Sequence, residues 1–357
     1  MSEVRTKTDE SSNDRLVPRS VGRSMLLSVV GLSLILLVGM EIKARQDNYP
    51  VTFPFNSDMW VGQWFRLDDL SDDHTVIVGA SRVRHGIIID EWDKQTGTRP
   101  LSLAWPGSPP VPVLEELADR ESFNGLVVCG VAPLVVFAND GPPWMDWIKQ
   151  NIEQSKTRQW SLSFHLSHSA HHYLRPRIQS FNSQAYSPVS NLYFGFPIPN
   201  REGLLNPLMF RFIGTTDNEL QDRYLKSFES DEALKQQIRE QLKQFNLRQL
   251  HFGPADFEQC IAQYHTAVKK IESRGGEVVF VRLPSDGWIA EFENTYYPRE
   301  QCYDRLIEVT GCLGIHFQDY DSLKNLHCVE ESHLSVSDGM TATQSIIEIL
   351  RENGVLE

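Results

Sequence analysis

Two short segments carry residue types that together could make or break an ester. Gly79-Ala80-Ser81 follows the apolar run Thr75–Val78, and Gly86 comes five residues after the serine. A serine where a strand ends and a helix begins can turn its hydroxyl toward a carbonyl, while the N–H groups of the new helical turn hold the oxyanion. The same position also suits an ordinary helix N-cap. Near the other end of the chain, Glu330-Glu331-Ser332-His333-Leu334 sets an acid three residues before a histidine. A carboxylate there can orient an imidazole and stabilise its charged form, and a neutral imidazole can accept the serine proton near neutral pH. An exposed acidic loop with a chance histidine would read the same way. The candidate constellation is Ser81 as nucleophile, His333 as base and Glu330 as orienting acid.

These residues need a scaffold that joins distant segments, and the apolar pattern supplies one. Thr75–Val78, Leu101–Ala104 and Leu126–Cys129 are short, β-branched or Leu-rich runs bounded by Gly, Pro or Asp, as buried parallel strands are. The stretches between them are long enough for crossover helices, with Asp90–Thr96 and Val113–Arg120 as candidates. The pattern resumes with a helix at Asp256–Ser273, stopped by Gly275-Gly276. A strand at Val278–Arg282, a helix at Tyr303–Thr310, a strand at Ile315–Gln318 and a closing helix at Ala342–Asn353 follow. The expectation is an α/β fold, a three-layer α/β/α sandwich around a five-stranded parallel sheet. Ligands in such folds bind at the C-terminal ends of the strands. Residues 43–73 read as a linker and lead-in segment, and 74–357 as one domain with a long insertion at about 141–250. The insertion has a Pro/Asn/Gly-rich loop at Pro188–Asn206 and an amphipathic helix at Asp231–Leu247, and reads as a helical lid.

The 357 residues carry 34 Lys+Arg against 47 Asp+Glu, a formal net charge of −13. That balance argues against a general nucleic-acid binder, whose phosphate contacts need clustered cations. One long apolar run, Met25–Met40, follows a polar Ser/Arg-rich tail at residues 1–24 that reads as disordered. Extended to Ile42, it reads as an uncleaved signal anchor crossing a bilayer once. Arg15, Arg19 and Arg23 precede it and only Lys43 and Arg45 follow closely, which favours an N-terminus inside and the main domain outside. In a bacterium this means an inner-membrane protein with a periplasmic or extracellular domain. Five scattered cysteines form no zinc or disulfide framework, although Cys302 and Cys312 share one segment and are the candidate pair. His165, His168 and His172 have helical spacing, but without a carboxylate nearby they read as a polar helix face rather than a zinc site. Neither metal nor cofactor is expected.

Taken together, the Gly-x-Ser end of the first strand and the acid-x-x-His before the last helix resemble the blocks of the SGNH/GDSL hydrolase superfamily. Val76 to Ile87 is similar to the Gly-x-Ser-Arg-x-x-x-Gly-Ile variant of its membrane-anchored, DltD-like and alginate-acetylation-like branch. Glu330 stands in place of the family's aspartate, and His333, Leu334 and Gly339 continue the last block. The resemblance covers residues 74–135 and 275–353. It implies a flavodoxin-like sheet and oxyanion donors from the Ser81 N–H and from Gly107, after the second strand. It also implies an asparagine after the third strand, where this chain has Ala132; Asn139 lies seven residues on. Arg82 and Arg84 add positive charge beside the serine, and Arg82 and Arg282 are candidate substrate contacts. The expected activity is ester hydrolysis or O-acyl transfer on an envelope glycan or lipid. The alternative is a non-catalytic scaffold that binds glycan or a partner acyltransferase of the membrane.

Overall fold

The computed structural model describes residues 19–48, 50–137, 146–181, 213–250 and 256–357. The chain divides into two units, the N-terminal helix with residues 178–180, and the remainder from Pro50. In the first unit, α1 (Arg19–Asp47) contains, within Gly22–Asp47, an 18-residue window of mean hydropathy 2.3, and the helix is long and apolar enough to cross a membrane. The helix starts earlier than expected, because residues 19–24 continue its first turns instead of belonging to the tail. Just past the apolar run, the Glu41 carboxylate accepts the backbone N–H groups of Gln179 (3.2 Å) and Ser180 (2.9 Å).

The second unit is mixed α/β. Its strands in chain order are β1 (Val76–Val78), β2 (Leu101–Ser102), β3 (Leu126–Gly130), β4 (Gly214–Thr216), β5 (Asp222–Tyr224), β6 (Glu277–Arg282) and β7 (Leu313–His316). Five of them form one parallel sheet in the order β2-β1-β3-β6-β7, while β4 and β5 make a separate antiparallel hairpin. Helices α2 (Ser57–Phe65), α3 (Ser81–Gly86), α4 (Ile89–Thr96), α5 (Val111–Asp119) and α6 (Pro133–Val136) accompany the first three strands. The insertion holds α7 (Trp147–Arg158), α8 (Leu162–Leu174), α9 (Lys226–Glu229) and α10 (Glu232–Gln249). Then come α11 (Phe257–Glu272), α12 (Gly287–Tyr296), α13 (Tyr303–Thr310), α14 (Asp321–Lys324) and α15 (Val336–Glu352).

Alternation along the strands splits the core in two. Val76, Val78, Val127, Cys129, Val278 and Phe280 face one cluster with Trp60 of α2, Leu114 of α5, Val268 of α11 and Leu306 of α13. Ile77, Val128, Val279, Val281 and Ile315 face the other, with Val83 of α3, Trp92 of α4 and Ile346 of α15. Period two places neighbours on opposite faces, so each strand needs helices above and below, and the result is three layers. The chain steps outward from β1 to β2 and back past β1 to β3. Right-handed crossovers then put α3–α4 and α5 on opposite faces.

Several boundaries differ from expectation for identifiable reasons. The lead-in segment contains α2, capped by Asn56, whose side chain accepts the Met59 N–H at 3.0 Å. Met59 to Gln63 are buried in succession, and a helix buried all round has no amphipathic period to read. The last helix begins at Val336, because the Ser335 hydroxyl caps it by accepting the Asp338 N–H. The last strand is Leu313–His316, since Gly311 in the left-handed region ends α13 and the chain turns directly into the sheet. Cys302 and Cys312 are both free thiols, not a pair. They flank the eight-residue α13, whose rise of ~1.5 Å per residue holds them beyond the ~7 Å that a disulfide tolerates.

Helix α3 lies close against the sheet at Gly130, where an added Cβ would meet Val83 Cγ1 at 2.1 Å. Val83 is buried and β-branched, so it cannot swing away. Gly130→Ala is expected to destabilise the domain by about 1–3 kcal/mol in chemical denaturation; an unchanged midpoint would contradict this packing.

Candidate active site

Ser81 is the first residue of α3, directly after β1, and Ala80 occupies the N-cap position without a side-chain bond. The serine hydroxyl is therefore not used as a cap. Gly79 precedes it at φ +149°, a backbone angle that L side chains rarely adopt, and so sets the tight exit from the strand. Ser81 Oγ lies 2.7 Å from His333 Nε2. His333 Nδ1 is hydrogen bonded to the Glu330 carboxylate, and that carboxylate is fully buried. The two sequence segments meet as expected, with hydroxyl, imidazole and carboxylate in line.

A tight turn between β7 and α15 carries the acid and the base. The Val329 N–H donates to the His333 carbonyl at 2.8 Å, and Cys328 bridges Leu334. Glu331, between the two functional residues, sits at φ +76°. That left-handed conformation costs roughly 1 kcal/mol for a residue with a Cβ, and three contacts hold it. The Asp286 N–H donates to the Glu331 carbonyl (2.9 Å), the Trp288 N–H donates to its carboxylate (3.0 Å), and Arg239 of α10 lies 3.7 Å from it. Gly287 gives the Glu331 side chain its room, since a Cβ there would come within 2.4 Å of Glu331 Cδ.

The insertion adds groups with no sequence signature. The β4–β5 hairpin packs on α3 through a buried ion pair of Arg84 with Asp222, Nε to Oδ2 at 2.7 Å and Nη2 to Oδ1 at 2.7 Å. Gln221 reinforces it by donating to the Arg84 carbonyl and accepting the Ile89 N–H. This brings Tyr224 behind the histidine, its hydroxyl 3.2 Å from His333 Nδ1 and near the Glu330 carboxylate. Burial first, and then the nearby Glu330 charge, push the Tyr224 hydroxyl well above its ordinary pKa, so it stays protonated. Burial alone would raise the Glu330 carboxyl, but the adjacent imidazole of His333 and its hydrogen bond more than reverse this, and the carboxyl lies below its usual value. His85 packs beside both rings, 4.7 Å from His333 and 4.5 Å from Tyr224 between centroids. Burial, reinforced by His333, lowers it to about 3, so it adds no cation next to the base.

The other expected site residues have definite places. Arg82 donates to Glu293 at 2.7 Å, and Arg282 donates to the other oxygen of the same buried carboxylate, with Ser285 joining at 2.7 Å. Both guanidinium groups are thus committed to a protein carboxylate. Burial lowers Arg282 to about 10 against the raising effect of Glu293. Gly107 stands in a turn after β2 at φ +71°, which favours glycine although the space beside it is open. Ala132 caps α6 after β3 and packs with Ala80, offering no side-chain donor, and Asn139 lies outside the described residues. Because β2 and β3 flank β1, the backbone after each strand borders the Ser81 position.

The histidines of α8 do not converge. His165 bonds the Gln159 carbonyl at 2.9 Å, whereas His168 stacks on Phe164 and lies 4.3 Å from His172. Among the described residues, no cluster of three or more His, Cys, Asp or Glu is placed to hold a metal ion. A surface cavity of about 410 Å³ lies between α5, α7 and α11, lined by Glu115, Lys149 and Lys270 among others, and contains no triad residue.

His85 titrates at about 3 when folded, against 6.5 for a free histidine. Between these values the unfolded chain binds a proton that the folded chain does not, so stability falls as pH drops through that window. His85→Gln should flatten the fall by close to one proton, read from urea midpoints between about pH 7 and pH 4. His168 and His316, lowered by burial to about 4 and about 3, will keep part of the slope. An unaltered slope would place His85 in contact with water.

No known family model matches the chain, and no curated protein does either. The chemistry assigned to this site therefore rests on its own geometry.

Proposed function

We propose that the chain is a membrane-anchored serine ester hydrolase or O-acyltransferase of the SGNH type, acting on an ester of an envelope glycan or lipid outside the membrane that α1 crosses. The observation that carries the reading is the Ser81–His333–Glu330 relay, with Oγ 2.7 Å from Nε2 and a buried carboxylate on Nδ1. The order β2-β1-β3-β6-β7 supports it too, being the 2-1-3-4-5 arrangement of flavodoxin-like sheets once the hairpin is set aside. The site then falls at the strand ends beside β1 and β3, where the order reverses.

In the proposed reaction, His333 Nε2 takes the Ser81 proton as Oγ attacks the ester carbonyl. Glu330 and Tyr224 hold the imidazole with Nδ1 protonated and stabilise its positive charge. The N–H groups of Ser81 and Gly107 stabilise the tetrahedral oxyanion. The C–O bond to the leaving group breaks, the leaving oxygen takes the proton from Nε2, and the acyl group stays on Ser81. Water or a sugar hydroxyl then gives its proton to His333, attacks the acyl carbonyl and frees the serine. Water gives hydrolysis, and a sugar gives acyl transfer.

Ala132 favours a second reading, an SGNH-like scaffold that binds a glycan or a membrane acyltransferase without catalysis. A missing oxyanion donor can cost ~3–4 kcal/mol in the transition state. A fluorophosphonate separates the two, because a relay competent to activate Ser81 forms a covalent adduct there and a scaffold does not.

The full chain in detergent is expected to hydrolyse p-nitrophenyl acetate, and Ser81→Ala to abolish the activity; equal rates would remove the catalytic reading. Glu330→Gln should lower kcat by on the order of 10³-fold, since a neutral amide cannot stabilise the imidazolium. Tyr224→Phe keeps the ring on Phe228 and His85 but removes one donor to a charged group. Its expected effect is a roughly tenfold loss in kcat at unchanged KM; wild-type kcat would show that Tyr224 only fills space.

A further inference from the structure

Outside α1, the four most exposed large apolar side chains among the described residues all lie in one short stretch: Trp160 (83%), Leu162 (72%), Leu166 (63%) and Tyr173 (60%). At ~100° per residue, positions 162, 166 and 173 fall within a roughly 40° arc of α8. The opposite side carries Phe164, the buried residue of this helix, packed edge-on to Phe65 of α2. Helix α8 therefore has one apolar contact used by the fold and a second apolar stripe that the described residues leave open. Trp160 lies in the turn just before α8, and the Ser161 hydroxyl, which caps α8, fixes the turn beside it. At the far end, the Arg177 guanidinium lies 3.9 Å over the Tyr173 ring. A soluble surface gains nothing from such a stripe, whereas a bilayer interface rewards each part of it. Leucines bury in the acyl boundary, Trp and Tyr sit at headgroup level, and an arginine reaches from the ring toward phosphate.

We propose that this face of α8 lies flat in the outer interface of the bilayer that α1 crosses, a second membrane contact for the external domain. The proposal rests on the anchor reading of α1. Chain continuity supports the bilayer as the occupant. Ile178 follows Leu174, the last residue of α8, by four positions, and the backbone of Gln179 and Ser180 is bonded to Glu41. Glu41 is the first charge after the apolar run Met25–Met40. The five residues from Leu174 to Gln179 span at most ~17 Å, so the end of α8 cannot stray far from the edge of the hydrocarbon. Two attachments along one chain, the end of α1 and the stripe of α8, would keep the external domain at the lipid surface. An ester in the headgroup region, or on a glycan just above it, would then be the substrate in reach.

The test uses the full chain in nanodiscs of phosphatidylglycerol and phosphatidylcholine brominated near the top of the acyl chains. Trp160 emission is obtained as the difference between wild type and Trp160→Phe. The expected result is loss of about half or more of that emission on bromination. Leu162→Glu with Leu166→Glu should restore most of it without changing the thermal melt, because both residues are exposed. Resistance to carbonate extraction from vesicles reports the anchor separately. Trp160 emission indifferent to bromination in a chain that resists extraction overturns the proposal and leaves α1 as the anchor. Trp160 shielded instead by cross-linking to a second copy also overturns it, assigning the stripe to self-association.

Discussion

A carboxylate removed from water is the constraint around which this site is built. Glu330 has no solvent contact, and an ionised acid so placed is stable only with partners that match its charge and its lone pairs. His333 supplies one, the Tyr224 hydroxyl lies beside that imidazole, and the left-handed Glu331 sits in the turn that carries acid and base. Satisfying the acid also fixes the base. With Nδ1 held by Glu330, the imidazole can present only Nε2 to Ser81, the orientation a general base requires. Glu331 thus holds a strained backbone between acid and imidazole, and its carboxylate contacts with Trp288 and Arg239 keep it in place.

Support for the dyad comes from two directions. On one side Arg84 and Asp222 fasten the β4–β5 hairpin to α3, the helix that begins with the serine. Removal of either charge would strand the other in a buried position, so this pair holds the hairpin's register strongly. On the other side Arg82 and Arg282 converge on Glu293, linking α3, the end of β6 and α12. Burial, which alone would raise the Glu293 carboxyl, is outweighed by the two guanidinium groups, and the acid lies below its usual value. Both arginines, candidate substrate contacts from the sequence, brace the elements from which Ser81 and the acid turn emerge.

The neutral His85 completes the enclosure, keeping water away from the pair without adding charge beside the base. Ala132, by contrast, packs against Ala80 and offers no side-chain donor there.

Much of this could be read without coordinates. Five apolar runs, glycine stops and an acid three residues from a histidine specify local conformations and a parallel α/β sheet, because period, punctuation and propensity act over a few residues. Ser81, Glu330 and His333 were legible because their chemistry requires that spacing. Helix α2 was not, since a segment buried on all sides has no polar face to mark it. Tyr224, Asp222, His85 and Glu293 were equally silent. Each acts through one partner far away in the chain, at separations that follow only from how the sheet twists and where the insertion returns. Sequence alone determined which residues could react and which strands they would end. Tertiary packing alone decided what surrounds them, because burial and charge pairing depend on neighbours that no local pattern encodes.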